Sequence, residues 1–183
     1  MNLRNSKFVL LDRDGVINFD SEDFIRSAHE WLPIPGSLEA IAELSQNGYR
    51  VVVITNQSGI SRGLLDLESL AAIHAKMHRR VERLGGKIES VYFCPHGPHE
   101  NCDCRKPKPG LLHRFARDYQ VELRNIPFIG DSFRDIQAAW QAGASPVLVK
   151  TGKGLRTLKT HPELNLPLFE NLYDAVQSIL SRQ

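Results

Sequence analysis

Four apolar runs, at 8–11, 51–54, 126–129 and 146–149, carry no polar alternation. Such runs fit parallel strands that are covered on both faces. A fifth candidate lies at 88–93. Helical segments separate them. Pro35-Gly36-Ser37 opens one that reaches about Asn47, and Gly48 ends it. Asp66 caps a longer one with Leu67, Leu70, His74, Met77, Val81 and Leu84 at helical spacing, stopped by Gly85-Gly86. Further helices are expected at 111–119, 135–143 and 172–180, and the stretch 152–167 reads as an irregular surface excursion. Strands alternating with helices predict a doubly wound α/β parallel sheet in a single domain over 1–183.

Ligands of such sheets bind at the carboxyl ends of the strands. Strand one ends at Asp12, strand two at Thr55, and the 126–129 strand runs into Gly130-Asp131. The first of these opens Asp12-Arg13-Asp14-Gly15, a carboxylate pair that an ordinary turn also explains. The last, Gly130-Asp131-Ser132-Phe133-Arg134-Asp135, also reads as a helix cap. Taken together, acidic groups at neighbouring strand ends repel unless a cation lies between them, and magnesium suits hard oxygen ligands. In the turn Thr55-Asn56-Gln57-Ser58, a hydroxyl and backbone N–H groups suit a bound phosphate. The run from Arg105 to Pro109 brings positive charge just ahead of a helix.

Three cysteines lie within one short stretch, Cys94-Pro95-His96-Gly97-Pro98-His99-Glu100-Asn101-Cys102-Asp103-Cys104. A C-x-H pair and a C-x-C pair supply three thiolates and an imidazole, a closed tetrahedral set for structural zinc. His99 competes for the fourth position, but the symmetric pairing favours His96. Such a loop would leave no open position for chemistry and would instead place Arg105 and Lys106. His74 and His78 sit four apart, yet no third ligand is apparent, and a helix surface or boundary role is expected.

Lys plus Arg is 23 and Asp plus Glu is 21, a formal charge of +2. This near-balance argues against a dedicated nucleic-acid partner. No apolar run approaches the roughly 20 residues of a membrane span. No signal-peptide pattern opens the sequence, and a cytoplasmic location is expected.

The four signatures, in this order, resemble the haloacid dehalogenase superfamily of phosphohydrolases. The resemblance implies that Asp12 is the nucleophile and Asp14 the general acid and then base. It implies that Thr55 and Lys106 hold the phosphoryl group. Asp12, Asp131 and the backbone carbonyl of Asp14 would bind magnesium, with Asp135 an outer partner. More narrowly, Leu11 to Asn18, Thr55 to Gly63, the zinc-like loop with Arg105-Lys106-Pro107-Lys108-Pro109-Gly110, and Gly130 to Asp135 resemble the D-glycero-D-manno-heptose 1,7-bisphosphate 7-phosphatase family. That family implies a phosphorylated sugar substrate, a place in nucleotide-activated heptose and lipopolysaccharide synthesis, and a monomer. It further implies substrate contacts from Asp20, Ser21, Glu22, Asp23 and Arg105, alongside Asn56, Gln57 and Ser58. Ser132 stands where some relatives carry a lysine. Histidinol-phosphate phosphatases share the same signatures and are the nearest alternative. A nucleic-acid 3′-phosphatase and a non-catalytic zinc-binding module are the others.

Overall fold

A computed structural model describes residues 7–181. Its strands are β1 (Lys7–Leu11), β2 (Tyr49–Asn56), β3 (Ile88–Cys94), β4 (Pro127–Gly130), β5 (Ser145–Val149) and β6 (Leu168–Phe169). Its helices are α1 (Ser37–Gln46), α2 (Leu67–Glu82), α3 (Gly110–Tyr119), α4 (Phe133–Ala142), α5 (Gly154–Thr160) and α6 (Leu172–Leu180). The strands form a six-stranded sheet in the order β3-β2-β1-β4-β5-β6. Every pairing is parallel.

The continuous apolar runs explain this architecture. Successive strand residues point to opposite faces, so a run without polar alternation must be covered twice. Val9, Leu11, Val51, Val53 and Ile129 pack on one face against Ile41 of α1, Ile73 and Met77 of α2 and Val176 of α6. Phe8, Leu10, Val52, Ile54 and Phe128 face the other way, onto Leu112 and Phe115 of α3 and Ala138 and Ala139 of α4. Each fully buried aliphatic or aromatic side chain contributes about 1.5–3 kcal/mol. The register pairs Val9 with Val51 and Leu10 with Phe128, so β1 is central and its end opens onto the ends of β2 and β4.

Local chemistry sets the helix ends. The Asp66 carboxylate accepts from the Ser69 N–H at 2.7 Å, and Asn171 caps α6 through the Asp174 N–H at 3.0 Å. In α2 the buried stripe is Leu70, Ile73, Met77 and Val81. Leu67 and Leu84, expected in that stripe, are 62% and 41% exposed because they lie at the helix mouth and past its last turn.

The stretch 152–167 is not irregular throughout, since it contains α5. That helix is seven residues long and has no side-chain cap, so it left little periodic signal. The fourth helix also starts two residues before the expected Asp135, with Ser132 as its cap residue. Among the described residues no helix is long and apolar enough to cross a membrane.

Candidate active site and metal centres

Asp12 leaves β1 with its N–H bonded to the Ile129 carbonyl at 2.9 Å, which ties the ends of β1 and β4 together. Its Oδ1 stands 2.9 Å from the Lys106 ammonium, and Asp135 Oδ1 lies 2.6 Å from the same nitrogen. Lys106 is buried and also donates to the Ile54 carbonyl at 2.9 Å. Its backbone is fastened by Asn56, which accepts from the Lys106 N–H and donates to the Lys106 carbonyl, each at 3.1 Å.

Carboxylate oxygens of Asp12, Asp131 and Asp135 lie within 4.8 Å of one another, and all three residues are buried. Burial, together with Asp135 and Asp14, pushes Asp12 up to about 7 against the pull of Lys106. Burial, Asp135 and Asp12 likewise push Asp131 up to about 8. Asp135 and Lys106 behave in the opposite sense. Burial disfavours both charges, but their mutual attraction wins, aided for Asp135 by Ser132 and for Lys106 by Asp12. Asp135 Oδ1 meets the Lys106 ammonium as its charge partner. Three clustered hard carboxylates, two of them on the Lys106 ammonium, make a donor set that fits a small divalent cation.

Two glycines allow this approach. Gly15 has φ +84° and Gly152 has φ +56°, and a Cβ at either would lie 2.1 or 2.2 Å from Asp131 Oδ2. Asp131 Oδ2 accepts the Lys153 N–H at 2.6 Å, and Thr157 Oγ1 donates to the Asp131 carbonyl at 3.0 Å. The segment 151–153 was missed in the sequence, although it follows directly from the end of β5. Applying the strand-end rule to that strand as well would have found it.

Asp14 turns away from the lysine. Arg13, Asn18 and Gln57 all donate to its carboxylate. Burial pushes Asp14 up, but these partners, Arg13 foremost, hold it below the usual carboxylate range. Arg13 and His74 were not expected here. A buried arginine between two aspartates gives no sequence signal of its own. Thr55 is buried with its Oγ1 accepting from Gln57 Nε2 at 3.0 Å, which leaves the hydroxyl proton free to donate. Ser58 is buried in the same turn, and the Gln57 N–H bonds to the Cys94 carbonyl at 2.7 Å.

The outer residues divide. Asp20 reaches Lys153 at 2.6 Å, and its Oδ1 accepts from the Ser21 N–H at 2.9 Å. Glu22 and Asp23 are exposed, and among the described residues neither bonds to the carboxylate cluster. Arg105 is half-buried and donates to the His96 carbonyl at 3.0 Å. Burial lowers its affinity for its proton, and Arg134 and Arg62 add repulsion.

Beyond β3 the three cysteines and His96 converge. Cys94 Sγ lies 3.1 Å from Cys104 Sγ and 3.7 Å from Cys102 Sγ, with Cys102 and Cys104 3.6 Å apart. His96 Nδ1 lies 3.2 Å from Cys104 Sγ and 3.5 Å from Cys94 Sγ. Tetrahedral zinc with ordinary bond lengths would set sulfur–sulfur edges near about 3.8 Å and sulfur–nitrogen edges near about 3.6 Å. The thiols are free, and their spacing exceeds a disulfide bond. His99 is exposed and outside the cluster.

A parallel sheet with acidic groups at the ends of β1 and β4 and a buried lysine on the first of them defines a haloacid dehalogenase-like hydrolase. Two family models agree: haloacid dehalogenase-like hydrolase over residues 9–78 and HAD-hydrolase-like over residues 103–175. The D-glycero-β-D-manno-heptose-1,7-bisphosphate 7-phosphatase of Pseudomonas putida is 54% identical over 167 residues, covering 91% of this chain and 95% of its own. That of Neisseria meningitidis serogroup A is 46% identical and covers 95% of each. A crystal structure of the D,D-heptose 1,7-bisphosphate phosphatase of Bordetella bronchiseptica, complexed with magnesium and phosphate, superposes with a TM-score of 0.95 at 47% identity. It covers 97% of this chain and 99% of its own. The chain belongs to the D-glycero-D-manno-heptose 1,7-bisphosphate 7-phosphatase family of the haloacid dehalogenase superfamily.

Proposed function

We propose that this protein hydrolyses the 7-phosphate of D-glycero-β-D-manno-heptose 1,7-bisphosphate through an aspartyl-phosphate on Asp12. The observation that carries this reading is the Lys106 ammonium set between Asp12 and Asp135 at the carboxyl end of the sheet, in a fold shared with a magnesium- and phosphate-bound relative.

Asp12 attacks phosphorus while the bond to the sugar oxygen breaks, and Asp14 gives that oxygen its proton. Water then attacks the same phosphorus and passes a proton to Asp14, and Asp12 leaves as a carboxylate. Thr55 Oγ1 and the N–H groups of Asn56 and Ser58 hold the phosphoryl oxygens, with Gln57 bracing the turn through its N–H bond to the Cys94 carbonyl, and Lys106 offsets the charge that grows on them. Asp12, Asp131 and the Asp14 carbonyl would hold magnesium, which supplies electrostatic stabilisation of the transferring group when bound. Cys94, His96, Cys102 and Cys104 would hold zinc, with a structural role. Arg105 and the 20–23 segment take the sugar and its second phosphate. A cytoplasmic monomer with a small-molecule substrate, and no nucleic-acid or membrane partner, is the setting we assign to it.

Asp12→Asn should abolish turnover with the fold intact, and magnesium-dependent capture of fluoroberyllate should vanish with it. Turnover on the heptose bisphosphate should exceed that on histidinol phosphate and on a 3′-phosphorylated oligonucleotide. Retained activity in the variant, or a preference for either competitor, overturns the reading.

A further inference from the structure

Arg13 is fully buried, where a guanidinium persists only with partners that satisfy its charge and its donors. Its Nε lies 3.1 Å from Asp14 Oδ1, and its Nη2 lies 3.0 and 3.1 Å from the two Asp14 oxygens. Nη2 also donates to Gln57 Oε1 at 3.1 Å, and Nη1 lies 3.3 Å from His74 Nε2.

Arginine has donors only, which fixes the roles of its neighbours. His74 Nε2 must be the unprotonated, accepting nitrogen. Gln57 must turn its Oε1 to Arg13, which sends its amide N–H groups to Asp14 Oδ2 at 2.8 Å and Thr55 Oγ1 at 3.0 Å. Asn18 Nδ2 adds a bond to Asp14 Oδ1 at 2.9 Å. The Asp14 carboxylate therefore receives five hydrogen bonds from three side chains, and three of those bonds come from Arg13.

We propose that Arg13 is a positioning residue that holds the Asp14 carboxylate as the base for the second half of the reaction, with Gln57 and His74 fixing Arg13 from behind. This rests on the assignment of Asp12 as nucleophile and Asp14 as acid and base. In the second half, the oxygen of water bonds to phosphorus and the bond between phosphorus and Asp12 breaks. The electron pair returns to Asp12, and the proton of water goes to Asp14. A carboxylate gripped by five donors is fixed in direction, as a waiting base must be. The first half needs the reverse, a proton on Asp14 for an alkoxide. A p-nitrophenolate leaves without that proton, so an aryl phosphate isolates the second half.

Rapid-mixing kinetics with p-nitrophenyl phosphate and magnesium test this. Arg13→Met should release about one nitrophenolate per enzyme in a burst at close to the wild-type rate, then turn over about 10- to 100-fold more slowly. Arg13→Lys should recover part of the steady rate. His74→Phe, which keeps the arginine–carboxylate pair, should show the same split at smaller size. Fluoroberyllate capture should be unchanged in all three. Equal slowing of burst and steady phases, or an unchanged steady rate, overturns the inference. If Arg13→Met does not fold, His74→Phe decides by the same criterion. A wild-type enzyme that forms no phosphate ester on Asp12 is a different failure, that of the proposed nucleophile.

Discussion

The Lys106 ammonium stands 2.9 Å from Asp12 Oδ1, and both groups are almost wholly shielded from water. The Lys106 charge also holds Asp135 at 2.6 Å. Lys106→Met would leave these carboxylates without their counter-charge. Removing one partner of a buried pair costs about 3–5 kcal/mol. We expect a large drop in the melting temperature in magnesium-free buffer and a smaller one with magnesium present, alongside loss of turnover. Thermal unfolding with and without the metal checks this, and equal drops in both buffers would count against a shared cation site.

Gly152→Ala should disable the metal centre without touching a reacting group. The added Cβ would stand 2.2 Å from Asp131 Oδ2, and φ is +56° there. Backbone strain of this kind costs about 1–3 kcal/mol, and the displaced carboxylate should raise the magnesium concentration needed for half-maximal activity by at least about tenfold. A magnesium titration of activity reads the shift. An unchanged requirement would remove Asp131 from the ligand set.

His74 predicts an acid limb in stability. Burial, then the charges of Arg13 and His78, lower it to about 3 against an ordinary value of 6.5, with Asp14 opposing. The unfolded chain thus binds a proton between these values that the folded chain refuses. Stability is full above about pH 6.5 and is lost as pH falls towards 3, by at most about 1.4 kcal/mol per pH unit. His74→Phe should flatten that limb in urea unfolding measured between pH 7 and pH 5. An unchanged slope would show that the ring titrates freely.

The cysteine cluster should hold about one zinc per chain, measurable by elemental analysis of protein purified without chelator. Cys104 lies two residues before Lys106, so Cys104→Ser should lower kcat as well as raise KM. Cys102→Ser should release zinc too. Protein without zinc that retains full activity would reduce the loop to packing alone.

Much of the site could be read from strand ends. Asp12, Thr55 and Asp131 each follow an unalternated apolar run, and the fold brings all three ends to one edge. Covered parallel strands leave that pattern because both faces need apolar residues. Arg13 and His74 were invisible for the opposite reason. Their place depends on a side chain folding back along its own turn and meeting a helix 61 residues away. The 151–153 segment escaped because α5 is too short to show a period, and its glycines declare themselves only against Asp131. The pairing favoured His96 over His99 as the fourth ligand; in the structure His96 stands with the cysteines, and His99 is exposed outside the cluster.

The cysteine loop is pinned at both of its roots, by the Cys94 carbonyl on Gln57 and by the two-way bond between Lys106 and Asn56. Residues 98–101 between them are exposed. Doubling the length of a flexible loop costs only about 0.6 kcal/mol in closure entropy. This arc is therefore free to lengthen or shorten over evolutionary time, and an engineer could graft new sequence into it while the anchored roots keep Lys106 in register.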